Sequence, residues 1–254
     1  HYQIMDCIEA GIEQICIVVR PGEEQLVINY FLGPSEAYLK RLEQSPHLLQ
    51  EVESMRAALE RISFAVQERQ EGYGHAVYQS KTFANGEPVL LCLGDHLFRG
   101  VHQSCHRQLI QAYQVCDGRS VSAVNCIHAD ELKGYGTIAG KRLPANPDLI
   151  EVSLIIEKPA PEVARKELRV DGLGPDEFLG WFGMHALSPS IYDILEEMIA
   201  KDIRQKGEIQ LTYAQELQRQ REGYYALEMK NGKRFDFGVP QDFVKSVTEF
   251  AAAC

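Results

Sequence analysis

Pro88-Val89-Leu90-Leu91-Cys92-Leu93-Gly94-Asp95 carries the clearest strand signal in the chain. An unbroken apolar run closed by turn residues reads as a strand buried on both faces. It stops at Gly94-Asp95, so an acid stands at its carboxyl end. Outward from this stretch, residues 12–19, 62–66, 122–127 and a run ending at Glu157-Lys158 read as further strands. Between them lie helical patterns over residues 2–10, 35–61 (broken at Ser45-Pro46) and about 75–81. Others cover residues 190–202 and roughly 209–221, and a last helix starts at Pro240, where proline suits a first turn. Strand and helix in alternation predict an α/β fold with a largely parallel sheet flanked by helices. Ligands of such sheets bind beyond the carboxyl ends of strands, where Asp95 is expected. Residues 160–174, charged and closed by Gly172 and Gly174, read as an exposed connection.

The 254 residues fit one large α/β domain or two small ones, and 45% hydrophobic content is enough for a real core. A formal net charge of −10 argues against nucleic acid or an anionic membrane as the main partner. Seven cysteines, an odd number with no Cys-x-x-Cys pair, suit reduced thiols and a cytoplasmic protein. No apolar stretch reaches membrane-spanning length and no signal peptide is visible. The chain starts at His1 inside an amphipathic pattern (Tyr2, Met5, Ile8, Ile12), so a chain truncated at its start is expected.

A second acid, Asp236, follows the aromatic Phe235 in Phe235-Asp236-Phe237-Gly238, beyond a hairpin-like Asn231-Gly232-Lys233. Between the acids lies Glu157-Lys158-Pro159, at the end of another apolar run. Two carboxylates that can share a divalent cation, plus a lysine for a phosphate, suit phosphoryl or nucleotidyl transfer, where phosphate charge must be neutralised. Taken singly, each Asp reads as readily as a turn former or helix cap. His96, His102, Cys105 and His106 raise a zinc site, with His102 and His106 spaced i, i+4. No glutamate lies between them, and polar residues on a half-buried helix is the simpler reading. Gly72-x-Gly74 alone is a weak phosphate-loop signal. No Ser-His-Asp or Cys-His arrangement has a recognisable local signature.

Together, Gln67-Glu68-Arg69-Gln70-Glu71-Gly72-Tyr73-Gly74-His75-Ala76-Val77, Leu93-Gly94-Asp95, Glu157-Lys158-Pro159, Gly207-Glu208-Ile209-Gln210-Leu211-Thr212 and Asp236-Phe237-Gly238 fall in a telling order. Their order and spacing resemble those of sugar-nucleotide nucleotidyltransferases, closest to the bacterial UTP–glucose-1-phosphate uridylyltransferase type. The resemblance runs from about Tyr2 to Phe250. It implies a Rossmann-like, mainly parallel mixed sheet, and transfer of uridylyl from UTP to a sugar 1-phosphate, with glucose 1-phosphate the expected acceptor. It implies Asp95 and Asp236 as ligands of a catalytic Mg2+, with Lys158 on the sugar phosphate and Glu157 on sugar hydroxyls. It further implies Gln67 and Gly72 at the uracil, Gly136 as a backbone contact to the sugar phosphate ligand, and a homo-oligomer. The family's Gly-x-Gly-Thr-Arg signature lies upstream of the helix at which this chain begins. The expectation is therefore a single nucleotidyltransferase domain, residues 1–254, lacking its glycine-rich segment and first strand. The alternative is a catalytically silent sugar-nucleotide-binding or regulatory homologue.

Overall fold

The computed structural model describes residues 1–238 and 240–252. The chain divides into two compact units, His1–Gln70 and Glu71–Cys254.

The first unit holds α1 (Tyr2–Glu9), β1 (Ile15–Val19), α2 (Glu24–Leu32), α3 (Glu36–Leu42), α4 (Pro46–Leu59) and β2 (Ile62–Val66). The two strands pair in parallel from Ile15↔Ile62 to Val19↔Val66, an arrangement that needs a long crossover, here three helices. The expected break at Ser45-Pro46 is present, with Pro46 at the first turn of α4. There its missing N–H costs no hydrogen bond. Gln67 N–H donates to the Val19 carbonyl at 2.8 Å, extending the ladder by one step.

The second unit runs α5 (Tyr73–Gln79), α6 (Lys81–Ala84), β3 (Val89–Cys92), β4 (His96–Gly100), α7 (Cys105–Val115), β5 (Val121–His128), β6 (Gly136–Leu143) and β7 (Asn146–Glu157). It continues with α8 (Pro161–Glu167), β8 (Glu177–Leu187), α9 (Ser190–Ala200), α10 (Leu211–Glu222), β9 (Tyr225–Glu228), β10 (Gly232–Asp236) and α11 (Pro240–Ala252). Six strands form one sheet in the order β3-β8-β5-β9-β7-β6, while β4 and β10 make a separate antiparallel ribbon.

The α/β class is as expected and the sheet is mixed, but parallel pairing is the minority. Between the strands named above, only β1–β2 and β5–β9 pair in parallel among the described residues. Much of the antiparallel pairing runs through β8, which lies antiparallel to β3, β5 and β6, and β7 adds more against β6 and β9. Residues 178–187 of β8 are all buried, and the patterning of the sequence did not mark it as a strand.

Three smaller expectations also change. Residues 160–174 contain α8, and Ala164, Leu168 and Val170 are buried rather than exposed. The turn at 231–233 does not close a β9–β10 hairpin, because β10 pairs with β4. His96 begins a strand, and α7 starts only at Cys105, after a Ser104 side-chain cap on Arg107 N–H at 3.3 Å. His102 and His106 therefore share no helix face.

Side chains alternate across β8, so Trp181 and Phe182 enter different cores. Trp181 packs with Ile138, Ile155, Tyr224 and Leu195. Phe182 packs with Phe98, Leu109 and Met184. Each such fully buried side chain stabilises the fold by roughly 1.5–3 kcal/mol. The end of β7 that carries Glu157 is thus anchored by a filled core.

Candidate active site

The two acids meet at the β4–β10 ribbon. Asp95 lies in the turn between β3 and β4 rather than on a strand end, and Asp236 closes β10. The ladder pairs Asp236 with His96, and Phe237 N–H donates to the Asp95 carbonyl at 2.8 Å. Ligand atoms of Asp95, His96 and Asp236 all lie within 4.8 Å of one another. His96 Nε2 is 3.4 Å from Asp236 Oδ2 and 3.9 Å from Asp95 Oδ1. Burial and the Arg234 guanidinium push the imidazole below its ordinary range, against the upward pull of Asp95 and Asp236. Two oxygens on one octahedral Mg2+ stand about 3–4 Å apart, so the carboxylates fit a shared hard cation. His96 adds a softer nitrogen donor beside them.

Glycines make this approach possible. A Cβ on Gly238 would run into the Asp95 carboxylate, and Gly238 N–H donates to Asp236 Oδ1 at 2.9 Å. Gly183 sits at φ +85°, and a Cβ there would lie 2.5 Å from His96 Nδ1 and 2.7 Å from Leu93.

The second end is built on the sheet. Glu157 closes β7 opposite Gly136 of β6. Thr212, in the first turn of α10, donates its hydroxyl to Glu157 Oε2 at 2.8 Å. Lys158 Nζ lies 3.8 Å from Glu157 Oε1, leaving the lysine half-exposed and able to reach an anion. Its backbone takes φ 48°, in the left-handed region although it is not glycine and precedes proline. Such a conformation costs of order 1 kcal/mol or more and marks an over-determined position. Lys158 N–H donates to the Tyr135 carbonyl at 3.2 Å, which holds it there. A cleft of about 280 Å³ opens here, lined by Glu157, Lys158, Gln210, Thr212 and their neighbours.

Arg234 joins the two ends. It lies two residues before Asp236 on β10, stacks on Tyr135 at 4.4 Å, hydrogen-bonds the Tyr135 hydroxyl, and donates to the Trp181 carbonyl at 3.4 Å. Tyr135 in turn precedes Gly136 and anchors Lys158.

The glycine loop packs on the segment that leads to Thr212. Gly74 N–H donates to the Ile209 carbonyl and Ile209 N–H to the Glu71 carbonyl, both at 2.8 Å. A Cβ on Gly72, whose φ is 116°, would lie 2.7 Å from the Ile209 carbonyl oxygen. Glycine is needed there for close packing whatever else the loop does.

The structure thus brings Asp95 and Asp236 together at the ribbon and Gly136, Glu157 and Lys158 together on the sheet, with Gly72 packed against the segment that leads to Thr212. Gln67 belongs to the first unit, where its N–H bonds the Val19 carbonyl. Reading the sequence missed Thr212 as the orienter of Glu157, although it ends the Gly207-Glu208-Ile209-Gln210-Leu211-Thr212 motif. It also missed Arg234 and Trp181, which carry no local signature.

A mixed α/β sheet with paired carboxylates at one end and an acid–lysine pair at the other defines a transferase of phosphate-bearing groups. The model of the nucleotidyl transferase family matches residues 1–252, and the chain belongs to that family.

Its relatives narrow the comparison. The chain is 27% identical to UTP–glucose-1-phosphate uridylyltransferase 1 of Staphylococcus saprophyticus over 98% of this chain and 80% of the relative. It is 28% identical to UTP–glucose-1-phosphate uridylyltransferase of Pseudomonas aeruginosa, over 96% of this chain and 81% of the relative. A UDP-glucose pyrophosphorylase solved with UDP-glucose superposes with TM-score 0.79 at 26% identity, over the whole of this chain and 86% of that one. An apo UDP-glucose pyrophosphorylase gives TM-score 0.82 at 25% identity, over 99% of this chain and 86% of that one.

Proposed function

We propose that this chain transfers uridylyl from UTP to a sugar 1-phosphate, glucose 1-phosphate first among them, giving a UDP-sugar and pyrophosphate. The observation that carries the reading is the convergence of Asp95 and Asp236, tied through Arg234 and Tyr135 to Lys158. The names of the relatives point the same way.

Asp95 and Asp236 would hold a magnesium ion, which when bound supplies Lewis-acid neutralisation of phosphate charge. Lys158 neutralises the sugar phosphate, and Glu157, oriented by Thr212, accepts from sugar hydroxyls. Gly136 leaves room for close approach of the sugar phosphate ligand to backbone. Gln67 and Gly72 are assigned to the uracil by resemblance. The attacking phosphate oxygen is already ionised at neutral pH, so no general base is required. Catalysis then rests on in-line positioning and charge stabilisation.

We also read the chain as the single nucleotidyltransferase domain of a cytoplasmic homo-oligomer. No described helix is long and apolar enough to cross a membrane, and no disulfide joins the six described cysteines.

The test is a screen of UTP, dTTP and CTP against several sugar 1-phosphates, following pyrophosphate release. A buried amide facing uracil tolerates thymine but mispairs with cytosine, so UTP should lead, dTTP follow weakly and CTP fail. Purine nucleotides used as well as UTP would refute the base assignment. Binding of UDP-glucose without turnover of any pair would favour the silent homologue.

A further inference from the structure

A half-buried arginine normally has its charge answered inside the protein, because a cation drawn from water without a partner is costly. Three arginines here follow that rule. Arg142 Nη1 lies 2.6 Å from Glu228 Oε2, and Arg219 Nη2 lies 2.7 Å from Glu216 Oε1. Arg169 donates to the carbonyls of Leu173, Gly174 and Pro175. Arg234 departs from it. Its Nη2 donates to the Tyr135 hydroxyl and its Nη1 to the Trp181 carbonyl, the latter at a long 3.4 Å. No carboxylate pairs with it among the described residues.

A guanidinium carries five N–H donors, and neither of these two bonds uses Nε. The Tyr135 ring at 4.4 Å and the Phe182 ring at 5.3 Å hold the group in place. That packing strips water from its faces, which strengthens its pull on an anion. Arg234 also lines a cavity of about 210 Å³, walled by residues 125–127 of β5, 180–182 of β8 and 232–234 of β10. The other charged residues at this cavity have partners in the protein. Lys233 Nζ is 2.9 Å from Glu249 Oε2, and Glu131 Oε2 accepts from His128 N–H at 2.8 Å. The cavity shares no lining residue with the cleft around Lys158.

We propose that Arg234 anchors an oxyanion site in this cavity. A phosphate or a carboxylate accepts from Nε–H and an Nη–H together, the paired geometry that a guanidinium offers. Arg234 and Asp236 share one face of β10, so the bound anion adds negative charge beside the ribbon acids. The site stands apart from the uridylyltransfer reading, which assigns the sugar phosphate to Lys158.

Trp181 is the chain's single tryptophan and borders this cavity, so its fluorescence reports on an arriving charge. Inorganic phosphate and acetate are titrated separately, with sodium chloride at equal ionic strength as the control. At least one of the two should change the emission to saturation, and whichever acts names the acid group that the site takes. Arg234→Gln should weaken that binding roughly 10–100-fold, the scale of a lost charge-assisted contact. Arg234→Lys keeps the charge but loses the fork, and should fall between. Glu131→Gln removes a like charge and should tighten binding roughly twofold to fivefold. Lys158→Ala should bind within twofold of wild type. The proposal is overturned if neither oxyanion acts beyond chloride, or if Arg234→Gln binds as tightly as wild type. Weaker binding by Glu131→Gln also overturns it, which keeps the test decisive should Arg234→Gln fail to fold. Loss of the response in Lys158→Ala would move the anion to the other cleft, overturning this site while leaving the uridylyltransfer reading intact.

Discussion

The two ends of the candidate site are built differently. Glu157 sits on a six-stranded sheet, held by Thr212 and backed by Trp181 and the buried Ser122-His185-Tyr224-Gln215 network. Asp95 and Asp236 sit on a two-stranded ribbon and its turn. Their carboxylates are steadied chiefly by Gly238 N–H and faced by His96. Two like charges this close repel unless a cation stands between them. The difference teaches that one end is organised by the protein before any ligand arrives. The other, on the proposed reading, would have its geometry completed by a bound cation.

The sharpest way to break this comparison is to remove a ribbon acid. Asp236→Asn or Asp95→Asn keeps the side-chain volume but halves the charge available to a cation. Steady-state turnover with glucose 1-phosphate should fall by roughly 10²–10³-fold or more, the scale of losing a preorganised charge-stabilising group. A variant within about fivefold of wild type would show that the pair is not a cation site.

Lys158→Ala comes next. It deletes a charge-assisted contact worth about 1.5–3 kcal/mol, so the sugar 1-phosphate KM should rise by roughly 10–100-fold. The UTP KM should stay within twofold. Equal losses for both substrates would make Lys158 a structural residue.

Gly238→Ala should act on the ribbon alone. The added methyl meets the Asp95 carboxylate, so the Mg2+ concentration for half-maximal rate should rise roughly tenfold. The sugar 1-phosphate KM should not change. Movement of both would mean that the two ends share one scaffold.

The smallest effect concerns acid. His185 is wholly buried, and its imidazole is pushed down to about 3 from an ordinary 6.5 by desolvation. In the unfolded chain the same ring takes a proton near 6.5. The stability gained by keeping it neutral is therefore full above that pH and is lost progressively as pH falls from about 6.5 toward 3. The slope is roughly 1 kcal/mol per pH unit. Urea titrations at pH 7, 6 and 5 should show the wild type losing stability faster than His185→Gln. Parallel losses would remove His185 from the buttress of the Glu157 end.

Much of this organisation was legible in the sequence, for identifiable reasons. The run Val89–Cys92 and the strand ending at Glu157 were legible as apolar stretches; Glu157 does close its strand, whereas Asp95 falls in the turn after β3. Register was not legible. β8 is apolar throughout, so its sequence cannot tell a parallel from an antiparallel neighbour, and much of the antiparallel pairing runs through it. Asp236 was picked out by motif, but its partner strand was misjudged, because an Asn-Gly turn marks a bend without saying which strands pair across it. Thr212, Arg234 and Trp181 act through contacts that span from 53 to 99 positions in the chain. No local pattern reports such distances.

The most direct measurement is calorimetric titration of UDP-glucose with and without Mg2+, on the wild type, Lys158→Ala and Asp236→Asn. Mg2+ should tighten binding to the wild type and to Lys158→Ala by a similar factor, and leave Asp236→Asn unaffected. An undiminished Mg2+ effect in Asp236→Asn would contradict the shared-cation site, because the ion would then be held somewhere other than between Asp95 and Asp236.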